Sequence, residues 1–228
     1  MAKAVVLLSG GLDSTVTLAY ALALGEEVVP VSYRYGQRHF RELEAAKQVV
    51  AHYRLKQHVV VDMDLSAYRT NALTSTEVEV PLGRDVRDIG GDIPPTYVPA
   101  RNIIFLSVAA GLCESVEADR IYIGANAVDY SGYPDCRPEF IQAFEKVLEV
   151  GTRRGVEGNP VRVIAPLLRK SKADIVRLGK ELEAPLDLTW SCYRGGAKAC
   201  GQCDSCLLRL KGFKEAGHAD EIEYEGSR

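Results

Sequence analysis

The residues best suited to chemistry in this chain come first. Ser9-Gly10-Gly11-Leu12-Asp13-Ser14 follows directly on the apolar run Ala4–Leu8. A β-branched and leucine run that breaks into a Ser/Gly turn predicts a buried strand feeding a helix. The paired glycines allow positive φ and close backbone approach to a ligand. Successive N–H groups in such a turn form a concave nest for an anion, and the following helix adds its positive end. Ser9, Asp13 and Ser14 place short polar side chains at the same point. These residues predict a phosphate site. It is not a G-x-x-x-x-G-K-[ST] loop, because no Lys follows the glycines, and it is not G-x-G-x-x-G.

The second constellation is Cys192, Cys200, Cys203 and Cys206, with the spacing C-x7-C-x2-C-x2-C. Four thiolates wrap one zinc tetrahedrally, and C-x2-C lets two sulfurs of one turn reach the same ion. With every position filled, the zinc would be structural and leave no open site for water. Gly195, Gly196 and Gly201 supply tight backbone, and Arg194 and Lys198 are expected to offset the surplus negative charge. A redox or persulfide-carrying cysteine pair and an iron–sulfur cluster remain alternatives. Cys136 lies outside the cluster, as does Cys113, which sits in an apolar helix and reads as a buried small hydrophobe.

The elements that must position these groups alternate along the chain. Strands are predicted at Ala4–Leu8, Glu27–Tyr33, His58–Met63, Arg120–Ile123 and Val161–Ala165. Helices are predicted at Asp13–Leu24, Arg41–Leu55, Arg101–Glu117, Pro138–Val150 and Lys172–Leu182. Arg101–Glu117 is apolar on most faces and is expected to be deeply packed. In Pro138–Val150, Phe140, Ile141, Phe144, Val147 and Leu148 form one stripe. This alternation implies an α/β fold with an open, mostly parallel sheet covered by helices on both faces, Rossmann-like in plan. Residues 1–186 would form that unit, and 187–228 a small four-cysteine zinc region packed on it. The stretch Ser66–Pro99 is rich in Gly and Pro and breaks the rhythm. Irregular segments of this length are usually functional, so a lid over the strand ends is expected, with Arg101 at the mouth of the crevice.

The 228 residues carry a net charge of −3, which argues against a broad electrostatic grip on nucleic acid. No run reaches the ~18 apolar residues of a membrane span. The chain enters a strand at once, so no signal peptide is expected; cytoplasmic residence and reduced thiols follow.

The loop S-G-G-x-D-S resembles the pyrophosphate-binding loop of the ATP pyrophosphatase superfamily, with its adenine nucleotide hydrolase-like fold, whose members cleave ATP between the α and β phosphates. Further motifs narrow the resemblance. They are Tyr35-Gly36-Gln37-Arg38-His39, Val98-Pro99-Ala100-Arg101-Asn102, and Gly124-Ala125-Asn126 with Asp129. Ser131-Gly132-Tyr133-Pro134-Asp135-Cys136-Arg137, Pro166-Leu167-Leu168 and Lys170-Ser171-Lys172 follow before the cysteine cluster. In that order, over essentially the full length, the chain resembles the 7-cyano-7-deazaguanine synthases of queuosine precursor synthesis.

The resemblance implies a ligase that turns 7-carboxy-7-deazaguanine, ammonia and ATP into the nitrile, AMP and pyrophosphate. It implies a homodimer, zinc as a structural metal, and Mg²⁺ with ATP. Ser9, Gly10, Gly11, Leu12, Asp13 and Ser14 would hold ATP. Asp13 would also meet Mg²⁺, and Arg101 or Lys172 would neutralise the departing pyrophosphate. A solvated lysine at a helix start is the plain alternative for Lys172. Asp129 or Asp135 would accept from the N1–H and 2-amino edge of the heterocycle, although each could simply cap a loop. Tyr130 and Tyr133 would stack on the ring, with plain packing in a Gly/Pro loop as their alternative. His39 is a candidate base, with a surface histidine as its alternative. Asp13→Asn and Ser14→Ala are expected to cripple catalysis and leave the fold intact, since both lie in a ligand loop. Two rival readings remain: a tRNA-modifying member of the superfamily, and a non-enzymatic nucleotide-binding zinc module.

Overall fold

The computed structural model describes residues 2–128 and 132–226. Five strands form one parallel sheet: β1 (Lys3–Leu7), β2 (Glu27–Arg34), β3 (Val59–Asp62), β4 (Arg120–Tyr122) and β5 (Arg162–Ile164). Their order is β3-β2-β1-β4-β5. The helices are α1 (Leu12–Ala23), α2 (Arg41–His52), α3 (Arg101–Val116), α4 (Pro138–Gly151), the single turn α5 (Arg153–Val156), α6 (Lys172–Glu181) and α7 (Asp204–Ala216).

The period of two in β1 sorts its side chains between two cores. Val5 and Leu7 pack with Leu106, Ala109 and Ala110 of α3 and Ile141, Phe144 and Leu148 of α4. Ala4, Val6 and Leu8 pack on the other face with Leu18 and Ala21 of α1 and Ala46, Val49 and Val50 of α2. Beyond α1, a third cluster joins Val16 and Ala19 to Ile175 and Val176 of α6 and Phe213 of α7. Helices therefore cover both faces, as the strand–helix alternation requires.

Two expectations change. Only Leu106, Ala109, Ala110 and Cys113 of α3 are fully buried, and Ile103 is 42% exposed. The apolar composition of α3 thus does not mean deep packing, because one face of the helix has no neighbour to cover it. Val147 is likewise 55% exposed, one position off the buried stripe of α4. The helix α7 was not legible in the sequence. It buries Asp204, Arg209 and Gly212 beside Leu208 and Phe213, so polar and small residues interrupt its apolar stripe.

The irregular stretch before α3 is tied down. Leu82 bridges Cys203, the Gly83 N–H donates to the Gln202 carbonyl at 2.9 Å, and Arg84 pairs with buried Asp204 at 3.0 Å. Of residues 66–99, Leu73 lines the main cavity among the described residues. This stretch braces the cysteine region more than it covers the strand ends.

Candidate active site

The strand order reverses between β1 and β4, and open parallel sheets bind ligands at that crevice, beyond the carboxyl ends of the strands. A cavity lined by Ser9, Asp13, Arg101, Gly124 and Lys172 lies there. The loop after β1 forms one wall. Gly10 has φ +88°, and a Cβ on it would stand 2.1 Å from the carbonyl oxygen of Glu42, so only glycine lets the loop seat on α2. Gly124 does the same from β4, where a Cβ would lie 3.0 Å from the Ser14 nitrogen. Gly11 caps α1 without a side-chain bond. The amides of Leu12, Asp13 and Ser14 therefore donate to no group among the described residues. The loop holds itself in shape: Gly11 N–H donates to Ser9 Oγ at 3.2 Å, and Ser14 Oγ donates to the Gly11 carbonyl at 3.1 Å. Free amides at a helix N-terminus are an anion site by construction.

Lys172 meets this loop from 159 residues away, its Nζ 2.8 Å from each oxygen of Asp13. A capping box of Ser171 and Asp174 starts α6 and fixes the position of Lys172 as its first residue. Gly212 of α7 makes room for the lysine stem; a Cβ there would stand 2.4 Å from Lys172 Cγ. Lys172 is 6% exposed, so it is not a solvated helix-start lysine.

The facing wall is aromatic. Tyr33 stacks on Phe105 with ring centroids 4.1 Å apart, and Tyr35 meets Phe105 edge-on at 5.3 Å. The hydroxyl of Tyr133 lies 2.9 Å from Thr96 Oγ1. Arg101, at the start of α3, is surrounded by Tyr35, Tyr133, Tyr193 and Asp135. Sequence reading did not pick out Tyr33, Tyr35, Phe105 or Glu42 for this cavity, although the i, i+2 spacing of Tyr33 and Tyr35 marks one face of a strand end.

Asp135 lies outside the cavity lining. Its Oδ2 accepts from the Asn102 N–H at 3.0 Å, and Asn102 Nδ2 donates back to the Asp135 carbonyl at 3.1 Å. With 5% exposure it holds the first turn of α3, beside Arg101. Asp129 and Tyr130 fall outside the described residues. His39 is not a surface residue. It lines the cavity and packs on Gly195, where a Cβ would collide with its ring, and burial lowers its pKa.

The four cluster cysteines are all buried, with sulfurs within 4.8 Å of one another. A tetrahedron of ~2.3 Å zinc–sulfur bonds has edges of about 3.8 Å. Cys200 and Cys206 sulfurs lie 3.9 Å apart. The amides of Gln202 and Cys203 point at the Cys200 sulfur at 3.4 and 3.3 Å, and the Cys200 amide at the Cys192 sulfur at 3.3 Å. Amides suit thiolates, so the donor set fits a tetrahedral metal. Arg194 and Lys198 pair with Glu225 and Glu223 of the C-terminal tail, which corrects their expected role as counter-charges to the metal site.

Residues 3–217 match the family model described as queuosine biosynthesis protein QueC. A 7-cyano-7-deazaguanine synthase of Acetivibrio thermocellus is 59% identical over 224 residues, covering 98% of each chain. The Picrophilus torridus protein of that name is 55% identical over 225 residues, covering 99% of this chain and 92% of its own. The 7-cyano-7-deazaguanine synthase 2 of Desulfitobacterium hafniense is 56% identical over 224 residues, covering 98% and 94%.

Proposed function

This chain belongs to the QueC family, as an enzyme of the 7-cyano-7-deazaguanine synthase type, and from that premise we propose that it makes the nitrile by two ATP-dependent adenylations in one cavity. The observation that carries the reading is the single phosphate loop, with unpartnered amides, opening into the same cavity as the aromatic wall. A carboxylate is a poor electrophile, so its oxygen must be adenylated before ammonia attacks. The amide formed is also unreactive. Adenylating its oxygen makes AMP the leaving group, and loss of N–H protons yields the nitrile.

Each residue has work in this scheme. Ser9, Gly10, Gly11, Leu12, Asp13 and Ser14 cradle the β and γ phosphates. Lys172 neutralises charge as pyrophosphate departs, a change that occurs in the transition state and so accelerates the step. Magnesium would enter with the triphosphate and meet Asp13, whose oxygens each keep a lone pair beyond the Lys172 bond. Arg101 and Tyr133 hold the heterocycle and its acid group against Tyr35, and Asp129 remains our candidate for the ring edge. The cysteine cluster holds zinc with no part in the chemistry. Cytoplasmic residence belongs to the same reading and is supported by six unpaired cysteines; no helix among the described residues is long and apolar enough to cross a membrane.

Synthetic amide with ATP and no ammonia should give nitrile and one AMP, whereas the acid should give two AMP per nitrile. Product analysis by mass spectrometry decides this, and absence of nitrile from the amide would sink the single-cavity scheme. A homodimer is also proposed. The uncovered face of α3, marked by exposed Ile103, is the surface suited to it. Sedimentation should give twice the 25.0 kDa chain mass, and Ile103→Lys should return it to one.

A further inference from the structure

The two-step scheme demands something the loop and the lysine do not supply. Protons must leave the exocyclic nitrogen, once when ammonia displaces AMP and again when the adenylated amide collapses. Cations such as Lys172 and Arg101 cannot take them. Among the described residues lining the cavity, two carry carboxylates, Asp13 and Glu42. Asp13 is engaged by Lys172 through both oxygens.

We propose that Glu42 is the proton acceptor for the exocyclic nitrogen in both half-reactions, an inference that rests on the two-step reading above. In the first, nitrogen bonds to the acyl carbon, the carbon–oxygen bond to AMP breaks, and one N–H proton passes to Glu42. In the last, the adenylated amide first gives one N–H proton to solvent, leaving a neutral imidate. The remaining N–H bond then breaks toward Glu42, and as its electron pair becomes the third carbon–nitrogen bond the carbon–oxygen bond breaks and AMP leaves with the carbon–oxygen pair. Glu42 ends each step as the acid and returns its proton to solvent.

The geometry supports this in three ways. Glu42 stands in the first turn of α2, and its own carbonyl packs against Gly10, so it is anchored to the phosphate loop. No side chain or amide among the described residues donates a hydrogen bond to its carboxylate, unlike those of Asp13 and Asp135. The charged and titratable groups around it are few. Arg101 of α3 and Tyr35 after β2 face it. Arg41 of its own helix turns instead to the Trp190 ring at 5.1 Å, and Arg38 binds the carbonyls of Ala72 and Val78. His39 also lines the cavity, with its ring packed on Gly195. Burial pushes the Glu42 carboxyl up to about 7 against the pull of Arg101. A base of that strength is substantially ionised at neutral pH and still takes a proton readily.

Glu42→Gln tests the proposal through a ratio. The numerator is nitrile formation from amide and ATP. The denominator is ATP–pyrophosphate exchange with the carboxylic acid and no ammonia, which reads adenylation alone. The ratio should fall about 100-fold or more relative to wild type. In wild type the nitrile-forming kcat should rise as pH passes upward through the neutral range; Glu42→Gln should lose that limb, and Glu42→Asp should keep it at reduced rate. A ratio within threefold of wild type, about 0.7 kcal/mol by RT ln 3, or a limb that persists in Glu42→Gln, overturns the assignment. If Glu42→Gln loses exchange altogether, the ratio in Glu42→Asp decides, and a wild-type value there counts against Glu42. Failure of the wild-type protein to exchange pyrophosphate or form nitrile would instead defeat the two-step reading itself.

Discussion

Asp13→Asn is expected to lower nitrile synthesis by about 100-fold or more and, in addition, to destabilise the chain. The rate effect follows from the place of Asp13 in the anion nest, since loss of one transition-state contact of this kind commonly costs ~100–1000-fold. The stability effect follows from Lys172. Its side chain is 8% exposed and its charge is held by both oxygens of Asp13, whose side chain keeps 21% exposure. Breaking a fully buried pair leaves an uncompensated charge at about 3–5 kcal/mol. With Asp13 partly solvated, we expect about 1–3 kcal/mol. The sequence-based expectation of an intact fold is revised accordingly, because the loop residue is also half of a buried ion pair. Urea denaturation and steady-state turnover check the two effects separately. Asp13→Asn with Lys172→Met should regain stability without regaining activity. Near-wild-type turnover by Asp13→Asn would remove it from the catalytic loop.

Cys203→Ser is expected to abolish stoichiometric zinc and to cost at least about 3 kcal/mol of stability. Structural zinc in finger peptides contributes ~10–16 kcal/mol in apparent binding, and binding free energy to the folded site is folding free energy. The loss here is a fraction of that, because Phe213 of α7 also packs on α6. It is still large, because Cys203 is more than a ligand. It caps α7, bridges Leu82, and precedes Asp204, which holds Arg84. Loosening α7 also reaches the phosphate loop, since Gly212 packs on Lys172. The variant should therefore lose activity along with metal. Elemental analysis should find one zinc per wild-type chain and none in the variant. Iron with acid-labile sulfide, or active protein without metal, would overturn the zinc assignment.

The sequence by itself determined what depends on local chemistry. The glycine pair after an apolar run specified the strand–loop–helix unit and its anion nest, since a turn at Gly10 needs positive φ whatever surrounds it. Period-two and period-3.6 patterns placed all five strands, α1 to α4 and α6 near their observed positions, and missed the single turn α5. The C-x7-C-x2-C-x2-C spacing brought four sulfurs together because all four lie on one short stretch of chain. Tertiary structure alone decided the rest. Lys172 reaches Asp13 across 159 residues through the packing of α6 beside α1, which no local pattern encodes. Asp135 turns to cap α3, and Glu42 stands over the phosphate loop, because α3 and α2 are set against the sheet at those points. Ile103 stays exposed on an apolar helix because composition says what a face prefers, while only the neighbours say whether it is covered. Short-range turn and helix signals survive in any context, whereas a site assembled from distant segments exists only once the sheet order has brought their ends together.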